Sequence, residues 1–172
     1  ITSGAIHEIN ALDHLPIESG SFSLMDKAYI DFDRLFRMHN SGAFFVTRAK
    51  ENFRFIRVSS RQIDKHTGLI CDQTVKLKNL KVSQDYPGLI RRVKYYDSDI
   101  EMEFVFITNN FEINALDVAL LYKYRWTIEQ FFKWVKQHLK IKSFWGHSFN
   151  AVKTQIYIAM ITYLMVAIVK HE

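Results

Sequence analysis

A mixed α/β fold is what this sequence predicts, and three observations carry the prediction. Residues 22–47 read as strand, helix, strand. Residues 53–108 are runs of β-branched and aromatic residues split by turn signals. From Asn114 onward the apolar spacing becomes helical. The 172 residues are enough for one real hydrophobic core, and 48% apolar with 24% charged residues excludes wholesale disorder. A single cysteine, Cys71, excludes an internal disulfide and a cysteine-based zinc site. ITSGAIHEIN has no basic stretch followed by an apolar one, so no secretory signal is expected. A first residue Ile1 in place of Met suggests a piece of something longer.

The elements follow in order. Phe22-Ser23-Leu24-Met25 is a short apolar run ending at Asp26, which reads as a buried strand with a carboxylate at its C-terminal end. Asp31 to His39 reads as a short helix with Leu35, Phe36 and Met38 apolar, stopped by Asn40-Ser41-Gly42. Gly42–Thr47 is a second buried strand. A strand–helix–strand crossover places Asp26 at the strand end, where α/β sites gather. Phe53–Val58, Thr74–Leu80, Leu89–Tyr96 and Met102–Thr108 form an antiparallel β segment, with turns at Thr67-Gly68, Tyr86-Pro87-Gly88 and Asp97-Ser98-Asp99. Asn114 is an N-cap candidate for a helix expected to reach about Lys140, and Asp117 suits its first turn. A last helix is expected from about Asn150 to Lys170. Its core, Ile156–Val169, is apolar except for Thr162. That stretch is shorter than the roughly 20 residues a bilayer requires, so burial in the core is expected.

The charge is +5 overall and unevenly placed. Residues 34–61 hold Arg34, Arg37, Arg48, Lys50, Arg54, Arg57 and Arg61 against Glu51 alone. Residues 122–142 hold Lys123, Arg125, Lys133, Lys136, Lys140 and Lys142 against Glu129 alone. The blocks suggest a polyanionic partner, although solvated surfaces produce the same pattern. At about 100° per residue, Tyr122, Arg125, Glu129, Lys133, Lys136 and Lys140 share roughly 80° of arc. Leu121, Tyr124, Ile128, Phe131, Phe132, Val135 and Leu139 take the opposite, packing side. A lone carboxylate among cations is either a stripe of i,i+4 ion pairs or a place where a divalent cation and phosphates meet.

Other motifs are set aside. The seven histidines have no zinc spacing, and no P-loop, G-x-S-x-G or G-x-G-x-x-G occurs. Cys71 has no basic residue close in sequence and reads as inert. Trp126 and Trp134 suit packing as well as base stacking, His138 reads as structural, and Asn109 and Asn110 suit a turn.

These residues carry a resemblance. Tyr122-x2-Arg125-x3-Glu129-x6-Lys136, within LYKYRWTIEQFFKWVKQHLKIKSFWG, resembles the Y-(2)-R-(3)-E-(6)-K signature of bacterial insertion-sequence transposases of the DDE type. MDKAYIDFDRL resembles the stretch around that family's second catalytic Asp, with Lys27 and Ala28 replacing Arg and Gly. The likeness runs from about His7 to the end of the chain. It implies an incomplete ribonuclease-H-like α/β domain over residues 1–172, with a β-rich insertion at about 53–108 and C-terminal helices. It implies Asp26 and Glu129 as catalytic, metal-holding acids for a two-metal Mg²⁺ (or Mn²⁺) centre. Tyr122, Arg125 and Lys136 would contact DNA phosphates, and the helix-face argument adds Lys133. The family's first Asp lies on a strand before the matched region, and Asp13 is not its substitute. The implied activity is end cleavage and strand transfer on double-stranded DNA by a homodimer of the complete protein, in the bacterial cytoplasm at the nucleoid and away from membranes. This chain alone is expected to be inactive. A non-catalytic DNA-binding remnant and a structural interaction module are the alternatives.

Overall fold

In a computed structural model we describe residues 13, 16–138, 146 and 148–171, leaving aside the side chains at 135, 136, 138, 170 and 171. The chain divides into two compact units, one built on residues 4–125 and the other on residues 126–172.

The first unit is a six-stranded sheet: β1 (Phe22–Met25), β2 (Phe44–Arg48), β3 (Phe55–Arg61), β4 (Leu69–Leu77), β5 (Ile90–Asp97) and β6 (Met102–Thr108). The spatial order is β1-β2-β6-β5-β4-β3. β1 and β2 are parallel, joined through α1 (Phe32–Asn40), and every other neighbouring pair is antiparallel. The β-rich segment is therefore not a separate body: β6 returns to pair with β2, and the two parallel strands and the four antiparallel ones make one surface. A mixed sheet with helices on it is the architecture expected of a ribonuclease-H-like transposase domain.

Alternation along the strands sorts the side chains onto two faces. Met25, Phe45, Ile107, Ile90, Val75 and Leu77 point to one face and form the core with Leu35 and Met38 of α1. Tyr86 closes this core, its ring edge-on to Phe36 and to Phe45 at 5.3 and 6.3 Å between centroids. The other face carries Val46, Val93, Phe106 and Thr108, and α3 (Ala115–Tyr124) lies over it, with the Tyr122 ring tilted against Phe106 at 5.0 Å between centroids.

Local chemistry explains the boundaries. Asp31 caps α1 by accepting the Arg34 backbone N–H at 3.1 Å, and the left-handed Gly42 (φ 74°) follows its end. Gly68 (φ 87°) turns the chain into β4, and a Cβ there would meet the Tyr96 carbonyl oxygen at 2.6 Å. Leu80 is not a strand residue as expected. Asn79 accepts the Lys81 N–H at 3.1 Å and starts a short helix, α2 (Leu80–Asp85). β4 begins earlier than expected, at Leu69, because the register shifts between Leu69 and Cys71 let the strand run on through a bulge.

A buried ion pair joins the sheet to the start of α3. Asp72 on β4 and Arg91 on β5 are 3% and 2% exposed. Arg91 donates to both Asp72 oxygens, at 2.9 and 2.8 Å. Its remaining guanidinium nitrogen donates to the carbonyls of Asn110 (3.3 Å) and Ile113 (2.6 Å). The Asn110 side chain accepts from Glu112 and Ile113, as its turn reading requires. Asn109 does more than turn the chain: it accepts the Phe45 N–H and donates to the Ala43 carbonyl, at 2.9 and 2.8 Å.

The second unit holds α4 (Trp126–His138) and α5 (Phe149–His171). Tyr163 of α5 meets Phe131 and Trp134 edge-on, at 4.6 and 5.3 Å. Two expectations change here. The helix expected from Asn114 to Lys140 is two elements that meet at Arg125, whose N–H bonds to the Tyr122 carbonyl. Ile128 and Phe132, expected to pack, are half exposed. The last helix is not buried as expected: Ala159 is its buried apolar residue, while Ile158, Ile161, Leu164, Met165 and Ile168 are exposed. By length and composition Phe149–Val169 is long and apolar enough to cross a membrane, a property it shares with core helices of soluble proteins.

Candidate active site

Asp26 stands at the C-terminal end of β1, where the sequence pattern placed it. One carboxylate oxygen accepts the Ala28 N–H at 3.0 Å and caps a single 3-10 turn, Lys27–Tyr29. The other lies 3.9 Å from a guanidinium nitrogen of Arg125, at the C-terminal end of α3. The capping bond fixes the carboxylate's rotamer, and a third of the side chain remains exposed. Residues almost a hundred positions apart are thus brought together within one unit.

Tyr122 supports this pair from below. It is 2% exposed, and the Arg125 guanidinium carbon sits 5.2 Å from its ring centroid, a cation–π contact. The Tyr122 hydroxyl is buried without a hydrogen bond of good geometry. Burial raises its pKa, against the opposing pull of the Arg125 and Arg48 cations. The helical wheel put Tyr122 on an exposed face, but here it packs on Phe106.

The remaining predicted residues belong to the second unit. Glu129 is exposed in the first turn of α4, where the helix dipole favours an anion. Lys133 is also exposed on α4. The side chain of Lys136 lies outside those described, as do those of Val135 and His138. Trp134 packs on Tyr163. Among the described residues no cluster of three or more His, Cys, Asp or Glu is placed to hold a metal. Asp26 offers a partly exposed hard oxygen donor at the end of β1. Magnesium is commonly held by one or two carboxylates plus water and substrate phosphates, and Asp26 has the donor chemistry of one such ligand.

The basic block at 34–61 does not act as one patch. Arg34 and Arg37 are tied to Asp13, at 2.7 and 3.2 Å, and hold its carboxyl down at about 2, chiefly through the Arg34 hydrogen bonds. Arg61 reaches Asp72 at 3.3 Å, and Lys50 donates to the Ile30 carbonyl. Cys71 does have a basic neighbour: the Arg92 guanidinium lies 3.0 Å from its sulfur, brought there by strand pairing and not by sequence proximity.

Comparison with known proteins shows what this sequence is similar to. Residues 1–165 match the transposase DDE domain family. The chain is 37% identical to a putative transposase, y4zB, of Sinorhizobium fredii, over 98% of this chain and 48% of that protein. It is 30% identical to a probable transposase of insertion sequence element IS5377 from Geobacillus stearothermophilus, over 81% of this chain and 37% of the relative. A putative transposase of element IS4SA from Synechocystis is 28% identical, over 83% of this chain and 39% of the relative. The chain thus spans half or less of the length of these relatives. The match of residues 1–165, on a mixed sheet with helices, places this chain in the transposase DDE domain family.

Proposed function

We propose that this chain contributes part of the catalytic centre for metal-dependent phosphoryl transfer on DNA, with Asp26 and Glu129 as two of its carboxylates. The observation that carries the reading is the Asp26–Arg125 pair, set 3.9 Å apart over a buried Tyr122. A carboxylate and a guanidinium side by side suit a phosphodiester: one holds a cation, the other takes a phosphate oxygen. Magnesium, when bound, supplies the Lewis acidity that activates the attacking oxygen and steadies the leaving one.

The chain's own residues have separable tasks. Asp26 is held in one rotamer by the Ala28 N–H, so little reorganisation is needed at the site. Arg125 orients the phosphate, and the Tyr122 ring keeps the guanidinium in place. Lys133 and Lys136 contact the backbone of double-stranded DNA and add salt-dependent affinity without sequence information. The Y-(2)-R-(3)-E-(6)-K spacing supports these assignments. The complete protein acts as a homodimer on transposon ends and target DNA, in the bacterial cytoplasm.

A supercoiled-plasmid nicking assay tests the reading. In the complete protein with Mg²⁺ or Mn²⁺, Asp26→Asn and Glu129→Gln each remove cleavage by about a thousandfold or more, a loss expected when the ion's ligands go. The third carboxylate is supplied from outside this chain, so residues 1–172 alone bind Mg²⁺ weakly and do not nick. Robust nicking by residues 1–172, or full cleavage by either variant, would overturn it.

A further inference from the structure

We propose that Arg48 is a second DNA-phosphate seat of this site, held by the insertion strand β6 and absent from the residues that the signature motif marks. The inference rests on the reading of the Asp26–Arg125 pair given above. β1 and β2 pair in parallel through Met25↔Thr47, so Asp26 and Arg48 stand opposite one another one residue further on. By the same alternation both project to the face that α3 covers. The register Arg48↔Phe106 carries Phe104 to that face too, and the Arg48 guanidinium carbon lies 5.7 Å from the Phe104 ring centroid.

Arg48 could simply neutralise Asp26, but the geometry points elsewhere. The carboxylate opposite it on β1, Asp26, is engaged with the Ala28 N–H and with Arg125, and no ion pair joins it to Arg48. Among the described residues the Arg48 guanidinium makes no hydrogen bond and no ion pair; its contact is the Phe104 ring. The side chain is half buried. A half-buried cation without an anion has lost part of its hydration and gained nothing equivalent, so the arrangement calls for an anion that arrives from outside. A guanidinium lying on an aromatic ring keeps its in-plane donors for a phosphate oxygen. The position beside Asp26 and Arg125 makes that anion a phosphodiester of the same DNA. The inserted strands thereby acquire a part in substrate binding, since β6 supplies the ring.

Fluorescence anisotropy of residues 1–172 with a labelled 20-base-pair duplex, across a salt series, tests this. Arg48→Gln weakens binding about three- to tenfold at low salt and lowers the slope of log K against log salt by about one contact. Arg48→Lys restores the slope, which a packing role would not require. Arg57→Gln, an exposed cation on β3, leaves the slope unchanged. Arg125→Gln is the arm for the underlying reading. Unchanged affinity and slope in Arg48→Gln, with loss in Arg125→Gln, overturns this inference and spares the other. Loss in Arg48→Gln with no effect of Arg125→Gln supports Arg48 and removes Arg125. An equal fall in Arg57→Gln reduces the effect to general charge and overturns the local seat. Thermal melting of each variant separates unfolding from lost contact, and where Arg48→Gln misfolds, Arg48→Met takes its place: a slope one contact below wild type supports the proposal and an unchanged one overturns it.

Discussion

Replacing Asp72 by Asn removes a charge from the most deeply buried ion pair in the sheet. Both partners are within 3% of full burial, and Arg91 gives Asp72 two hydrogen bonds shorter than 3 Å. Removing one member leaves the other charged and unpaired in a poorly solvated place, which costs about 3–5 kcal/mol. For a chain of this length each kcal/mol moves Tm by about 2–4 °C, so the expected fall is about 6–20 °C. The choice of signal matters. All three tryptophans, Trp126, Trp134 and Trp145, follow residue 125, whereas Asp72 belongs to the first unit. Melting must therefore be followed by far-ultraviolet circular dichroism or by amide exchange of β4 and β5, not by tryptophan emission alone. The double variant Asp72→Leu with Arg91→Met removes both charges but orphans the carbonyls of Asn110 and Ile113. It should recover only part of the loss. An Asp72→Asn melt within about 1 kcal/mol of the parent, a range typical of ordinary surface substitutions, would refute the claim that this pair is sealed.

Two further outcomes follow from the same geometry. Tyr122→Phe removes a buried hydroxyl with no good partner, so stability stays within about 1 kcal/mol of the parent or rises, and DNA affinity by anisotropy is unchanged; a marked loss of affinity would mean that the hydroxyl itself meets the phosphate. Asp13 is held at about 2 by Arg34 and Arg37, below its ordinary 3.8. A depressed folded-state pKa gives stability that is present above the unfolded value and disappears as pH falls from about 4 to about 2. Melting scans from pH 5 to pH 2 should show that decline, and Asp13→Asn should flatten this part of it.

How much of this was legible beforehand depends on the kind of signal. β1 emerges at the expected residues because a four-residue apolar run closed by Asp26 has few other readings. Asp31 and Asn114 cap their helices as their side chains dictate. What failed was information that only tertiary pairing holds. Leu80 reads as strand by its apolar neighbours, yet the Asn79 cap turns it into a helix. The wheel from Tyr122 to Lys140 assumed one uninterrupted helix, whereas Tyr122 lies in one element and Glu129 in another. The apolar tail was expected inside a core and is largely exposed, because periodicity reports which residues want cover and not whether cover is at hand. For the candidate site, the place of Asp26 at the end of a strand was readable. Arg48 was hidden within a run of seven basic residues, and only strand register separates it from Arg34, Arg37 and Arg61, whose charges are already answered by acids.

β1 has one hydrogen-bonded neighbour, β2, among the described residues. Its outer margin is four residues long and begins at a partly uncovered Phe22. A strand laid along that margin can meet Asp26 only in discrete positions, because sliding it by one residue sends every side chain through to the opposite surface. Any side chain that such a strand sets beside Asp26 is consequently selected by alignment in whole-residue steps of about 3.3 Å, with no intermediate settings. A misaligned strand would seal that margin as firmly as an aligned one while turning its other set of side chains toward Asp26.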